Sequence, residues 1–212
     1  NRKTRPLPAI PHFISPDWPA PATVLSLCTT RSGGYSDPPY EAFNLAHHVG
    51  DSASAVAGNR DILASALPAG VAVSWLSQVH GTVVVEAGQG EQYPVADAQW
   101  SRRPGTACAV LTADCLPVLL CSLSGDVVAA AHAGWRGLRA GVLEATVGAM
   151  HTRADQLMAW LGPAIGPLAF EVGPEVREAF LAAASPSEES VVAASFAPSP
   201  DHPDHFFADL YA

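Results

Sequence analysis

His80, Cys115 and His132 are the side chains of this 212-residue chain best suited to sharing one metal ion. Each stands beside glycine or at the end of an apolar run: Ser77-Gln78-Val79-His80-Gly81, Thr112-Ala113-Asp114-Cys115-Leu116-Pro117 and Ala131-His132-Ala133-Gly134-Trp135-Arg136-Gly137. Two imidazoles and one thiolate can hold zinc with a fourth position open, as catalytic zinc sites do. Taken singly, each has a commoner role. A lone cysteine is usually a small core hydrophobe, and Cys28, Cys108 and Cys121 are expected to be that. A lone histidine at a strand end is usually a hydrogen-bonded structural group. His12, His151, His202 and His205 stand in Pro-rich or polar surroundings and are expected at the surface, while the His47-His48 doublet is expected to pack its own loop.

The elements that must position the three ligands can be read from the runs around them. Thr106 to Thr112, Pro117 to Ser122 and Asp126 to His132 are rich in Val, Leu, Cys and Ala and short enough to be buried strands. Leu123-Ser124-Gly125 reads as a three-residue hairpin connection. Pairing Ser122 with Asp126 places Leu116 opposite His132 and Cys115 adjacent or diagonal to it, within reach of one ion. A slip of one residue would turn a side chain to the other face. His80 closes a further apolar run from Val71 to Val79. The three ligating atoms are expected within about 4 Å of one another, given metal bonds of roughly 2.0–2.3 Å. Helical spacing predicts helices over Ser54–Leu67, Gly137–Met150 and Pro174–Ala184. The second starts just after His132, giving a strand–loop–helix unit whose N-terminus can attract an anion. Ser185 to Asp204 reads as loop, and residues 1–22 as a Pro-rich lead-in to a single domain over 23–212.

Composition narrows the partners. A net charge of −9 argues against nucleic acid, since phosphate backbones call for clustered Lys and Arg. No run of about 18 apolar residues predicts a membrane span. The basic start is followed by Pro and polar residues, unlike a secretory signal. Four cysteines fit a reducing cytoplasm better than a disulfide framework. The expectation is a cytoplasmic enzyme with a small-molecule substrate, binding neither nucleic acid nor membrane.

The blocks TTRSGG (29–34), FNLAHHVGD (43–51), SQVHG (77–81), TADCLPV (112–118), AAHAGWRG (130–137), LGPAIGP (161–167) and FEVG (170–173) follow in that order. Together they resemble the laccase-domain family, often labelled polyphenol oxidase and reassigned to purine nucleoside phosphorylase with adenosine deaminase and methylthioadenosine phosphorylase activities. A bacterial branch of it is described as a peptidoglycan-editing factor. The resemblance runs from about Cys28 to Leu210. It implies zinc held by His80, Cys115 and His132, and a single compact α/β domain of layered mixed β-sheets flanked by helices. Members usually continue past the position of Ala212 with a Cys–Thr block and an Arg-rich segment, and this sequence ends before either.

Zinc with three protein ligands lowers the pKa of bound water to roughly 7. Attack on C6 of adenosine would account for deamination, with Asp114 or Asp97 as proton carrier. Phosphorolysis of a purine nucleoside calls for a cation to hold phosphate, and Arg136 is the candidate, with Asn44 and Gln78 as further substrate contacts. A multicopper oxidase would need roughly ten histidines, commonly as His-x-His pairs, to hold its four coppers. This chain has eight histidines and no such pair. Copper can still enter the His80–Cys115–His132 site, because it binds N/S ligands more tightly than zinc does. The alternative chemistry is a Cys115 nucleophile with His132 as base and Asp114 as orienter, an amidase arrangement that would suit the peptidoglycan-editing branch.

Overall fold

A computed structural model describes residues 11–212. Residues 1–10 of the expected lead-in lie outside the described residues, and Phe13–Ile14 within it form a strand, β1, antiparallel to β2 (Cys28–Thr29). Helix α1 (Ala53–Ala66) follows, one residue offset from its expected bounds. It buries Val56 and Leu63, the residues that set its periodicity, and Leu63 packs with Phe43 and Leu45 of the FNLAHHVGD block. Asn59 on the same face is fully buried and fully bonded. Its amide nitrogen donates to Ser36 Oγ and to the carbonyls of Ala42 and Asn44, and its oxygen accepts the Tyr35 N–H. The FNLAHHVGD block and the Tyr35–Ser36 segment that follows the first block are thereby anchored to one helix.

Strand β3 (Ala72–Ser74) lies parallel to β6 (Thr106–Cys108). The main sheet is mixed and five-stranded, built from β4 (Val84–Glu86), β5 (Ala98–Ser101), β7 (Leu116–Ser122), β8 (Val128–Ala133) and β9 (Leu157–Leu161) in the order β4-β5-β8-β7-β9. One face carries Leu116, Val118 and Leu120 of β7, Ala129, Ala131 and Ala133 of β8, and Ala98 of β5. Alternation along a strand puts these on a single side. The small alanines of β8 leave room there for Val142 of α3 (Val142–Ala149) and for Met150. The opposite face receives Gln99, whose amide donates to the carbonyls of Ser74 and Ala109 and ties β5 to the β3–β6 pair. A fourth sheet, β10 (Glu171–Val172), β12 (Phe206–Ala208) and β11 (Phe196–Pro198), packs with α4 (Pro174–Ala183) in an apolar cluster around Val172, Val176 and Phe196. The architecture is the expected single compact α/β domain of mixed sheets and helices.

Four local expectations are corrected. The β7–β8 connection has four residues, because Ser122 pairs with Val127 through its N–H, 3.0 Å from the Val127 carbonyl. The Ser122 hydroxyl donates to Asp126 Oδ1 and accepts the Asp126 and Val127 N–H groups, drawing Asp126 into the turn, with Gly125 at φ +74°. The register therefore sets Pro117, not Leu116, opposite His132. The helix predicted over Gly137–Met150 is two helices, α2 (Trp135–Ala140) and α3, because Gly141 takes a left-handed φ of +94° between them. The expected loop 185–204 contains α5 (Glu189–Ala194) and β11, recruited by the cluster into which Phe196 is buried. Finally, the strand expected over Thr106–Thr112 stops at Cys108. Beyond it, Leu111 bonds in both directions to the Gln78 side-chain amide at 2.7 Å, which substitutes for a neighbouring strand.

Candidate metal centre

The corrected register is what brings the ligands to one side. With Leu116 paired to Ala133 on the core face, the alternation turns Cys115 and Pro117 to the other face, the one that also carries His132. Asp97 lies just before β5, and its carbonyl accepts the His132 N–H at 2.7 Å, so the two residues are cross-strand neighbours. Their side chains meet at 2.8 Å, His132 Nδ1 to Asp97 Oδ1. Asp97 also receives three backbone N–H groups from the SQVHG loop: His80 at 2.8 Å on Oδ1, and Val79 and Gly81 at 3.2 and 2.6 Å on Oδ2. That loop brings His80 over the sheet with its backbone at φ +61°.

The ligating atoms of His80, Cys115 and His132 lie within 4.8 Å of one another, a looser set than the roughly 4 Å expected from metal–ligand bond lengths. Cys115 Sγ is 3.8 Å from His80 Nε2, and the two imidazole centroids are 4.7 Å apart. A sulfur and a nitrogen on one tetrahedral zinc would be separated by about 3.6 Å, so this pair is close to ligating distance. A cradle completes the fit: a Cβ on Gly134 would stand 2.7 Å from His80 Cδ2 and 2.9 Å from Cys115 Sγ. The donor set and the space around it fit a single ion held by two imidazoles and a thiolate. Among the described residues no other group of three His, Cys, Asp or Glu side chains is placed to hold one.

Burial, and then the negative charges of Asp114 and Asp97, push the Cys115 thiol up, so a nearby cation is needed to hold it as the thiolate. His132 is held below the ordinary histidine value, chiefly by burial, which outweighs the Asp97 hydrogen bond. Burial raises the Asp97 pKa, but the His132 bond and the three backbone donors outweigh it and leave the carboxyl below the usual range. The neutral His132 thus contributes stability that is complete above about pH 6.5 and is lost as pH falls from there towards its lower folded-state value. Denaturation midpoints of metal-free protein should fall between pH 7 and pH 5, and should fall less in His132→Gln. Parallel pH profiles for the two proteins would contradict this.

Gly137 is the second close approach in the HAGWRG block. It is buried in α2, and a Cβ there would stand 2.9 Å from the Gly81 carbonyl oxygen. Alanine normally stabilises a helix interior by about 1 kcal/mol relative to glycine. Here Gly137→Ala should instead lower stability by about 1–2 kcal/mol, because a backbone group must yield. A denaturant melt checks the sign.

Asp114 is exposed beside Cys115, and its carbonyl accepts the Ile165 N–H at 2.9 Å, joining the TADC and LGPAIGP blocks. Arg136 is exposed in the first turn of α2, with its guanidinium 4.5 Å from the Trp135 ring centroid. Gln78 has both amide atoms bonded to Leu111. Asn44 bonds within its own loop, to Ala46 and to Asp51 Oδ2. His12, His151, His202 and His205 are exposed as expected, and His47 is exposed with its ring 4.3 Å from that of Tyr93. Gly134 and the orienting contacts of Asp97 were not singled out from the sequence. Their signals were a glycine two residues after a ligand and an acidic residue just before the short strand Ala98–Ser101.

Comparison with known proteins gives concordant results. A family described as multi-copper polyphenol oxidoreductase laccase matches residues 25–212. The purine nucleoside phosphorylase PA4543 of Pseudomonas aeruginosa is 53% identical over 199 residues, covering 94% of this chain and 78% of the relative. The purine nucleoside phosphorylase YfiH of Escherichia coli is 50% identical over 201 residues, covering 94% and 79%. The crystal structure of a Neisseria meningitidis protein aligns with a TM-score of 0.84 at 47% identity, covering 94% of this chain and 79% of the other. YlmD from Geobacillus stearothermophilus aligns at 0.72 with 28% identity, covering 89% and 73%. No helix among the described residues is long and apolar enough to cross a membrane.

Proposed function

Since the chain belongs to the multi-copper polyphenol oxidoreductase laccase family, we propose that it is a metal-dependent purine nucleoside phosphorylase, with adenosine deamination and methylthioadenosine phosphorolysis as further activities. The observation that carries the reading is the convergence of His80, Cys115 and His132 on one sheet face, in a chain at least 50% identical to relatives named for this activity. His80, Cys115 and His132 would hold the ion. When bound, zinc supplies a Lewis-acidic position open to substrate.

In phosphorolysis a phosphate oxygen forms a bond to the anomeric carbon as the glycosidic C–N bond breaks. The electron pair leaves with the purine, which takes up a proton. Arg136 is the cation assigned to the phosphate, since a planar guanidinium can bind two of its oxygens at once. Stacking on Trp135 limits the orientations it can take. For deamination, Asp114, exposed beside Cys115, is the proton carrier. Asn44 and Gln78 act on substrate indirectly, by holding the loops that carry them. All four cysteines are free, which suits a reducing cytoplasm and a site that needs Cys115 as a thiol.

A copper oxidase would need a second, three-copper centre, and among the described residues one three-ligand group is available. The test is release of free base from inosine and adenosine by full-length, metal-loaded protein, with and without phosphate. Phosphate-dependent release is expected, and Arg136→Ala should raise the phosphate requirement more than the nucleoside requirement. Untouched nucleosides together with hydrolysis of an L-Ser-containing cell-wall precursor would move the assignment to the amidase.

A further inference from the structure

We propose that Asp97 is the positioning residue of the metal centre: it fixes the tautomer of His132 and the pose of the His80 loop, and so sets the affinity for the ion. The inference rests on the metal-dependent reading above and concerns what makes that site form.

Asp97 is fully buried, and both of its oxygens are engaged. An ionised carboxylate only accepts hydrogen bonds, so the proton in the 2.8 Å contact belongs to His132 Nδ1. That leaves the lone pair of His132 on Nε2, the nitrogen available to an ion. An imidazole without this partner would divide between two tautomers, one of which carries a proton where the ion must bind.

The same carboxylate acts on the second histidine through the backbone. A φ of +61° is disfavoured for a residue with a Cβ, and His80 holds it inside a loop whose neighbouring residues are Val79 and Gly81. The N–H groups of all three converge on Asp97, forming an anion-binding nest closed by a side chain of the same molecule. One residue therefore sets the ring orientation of His132 and the backbone pose of His80. Among the described residues His132 is its only ion-pair partner, so no Lys or Arg neutralises it. A buried carboxylate bonded behind a ligating imidazole makes that imidazole a better donor. Burial also distinguishes Asp97 from a proton carrier, since it has no free lone-pair direction facing solvent, whereas Asp114 is exposed.

The experiment compares full-length wild type, Asp97→Asn and Asp97→Ala. Each is stripped of metal and titrated with zinc or cobalt(II) against a chromophoric chelator, and the cobalt–thiolate absorption is recorded. Asparagine keeps the shape but turns an NH2 group towards backbone donors. Both variants should lose roughly 10- to 100-fold in affinity, and their cobalt bands should shift. Nitrogen NMR of metal-free wild type should show His132 protonated at Nδ1, and this measurement requires no variant to fold. The proposal is overturned if His132 carries its proton on Nε2. It is also overturned if the wild type binds one ion and Asp97→Asn binds it within twofold, with an unchanged cobalt spectrum. A wild type that binds no ion at all refutes the metal-dependent reading itself, a result separable from either of those.

Discussion

Cys115→Ala should abolish nucleoside phosphorolysis and lower metal affinity roughly 100- to 1000-fold, as expected when the thiolate is removed from a site held by three ligands. The metal-free protein should melt within about 1 kcal/mol of wild type. Cys115 is half-buried just before β7, outside the core cluster that holds Leu116. Losing its sulfur therefore opens little volume, but it leaves two imidazoles where three donors converged. Metal content by mass spectrometry, a denaturant melt and the phosphorolysis assay read the three effects. Retained turnover at normal metal content would exclude Cys115 as a ligand.

Gly134→Ala is the second large effect, and it tests the cradle. The backbone of Gly134, at φ −64° and ψ 155°, suits alanine. What does not suit it is the space, because the new methyl would stand 2.7 Å from the His80 ring and 2.9 Å from Cys115 Sγ. Relief can come only by displacing one of the two ligands or the loop behind it. Turnover should drop at least about 100-fold, since a displacement near 1 Å at a reacting centre costs that much. Metal affinity should fall while the fold persists. Wild-type kinetics in Gly134→Ala would mean that the ligands close further apart than this geometry has them.

Much of the site was legible in the sequence because His80, Cys115 and His132 each mark the end of an apolar run, and such ends cluster at one edge of a sheet. The hairpin register was misread by one residue. Turn length was inferred from Gly125, while the Ser122 hydroxyl, which claims the N–H groups of Asp126 and Val127, leaves no trace in hydropathy. The true register is also the one that places Cys115 and His132 on a common face. The split of the long helix at Gly141 was visible as a glycine but not as a left-handed one, because periodicity continues through it. Gln78 looked like a substrate contact from its place in SQVHG. Its partnership with Leu111, 33 positions away, is tertiary and has no local signature. Similarly, α5 and β11 lie in a Ser- and Pro-rich stretch whose order depends on Phe196 finding the cluster around Val172 and Val176.

The placement of Asp97 bears on the order in which the molecule is assembled. Cys115 and His132 are brought together by one hairpin, a local event with a short loop to close. His80 arrives only when β5 docks along β8, because Asp97 at the head of β5 holds its loop. An ion that needs all three ligands therefore binds the docked chain and not the hairpin alone. At one hundred times its dissociation constant it would add about 2.7 kcal/mol to that docking, by mass action. With such an ion bound, metal supply would set how long the chain survives proteolysis, independently of turnover.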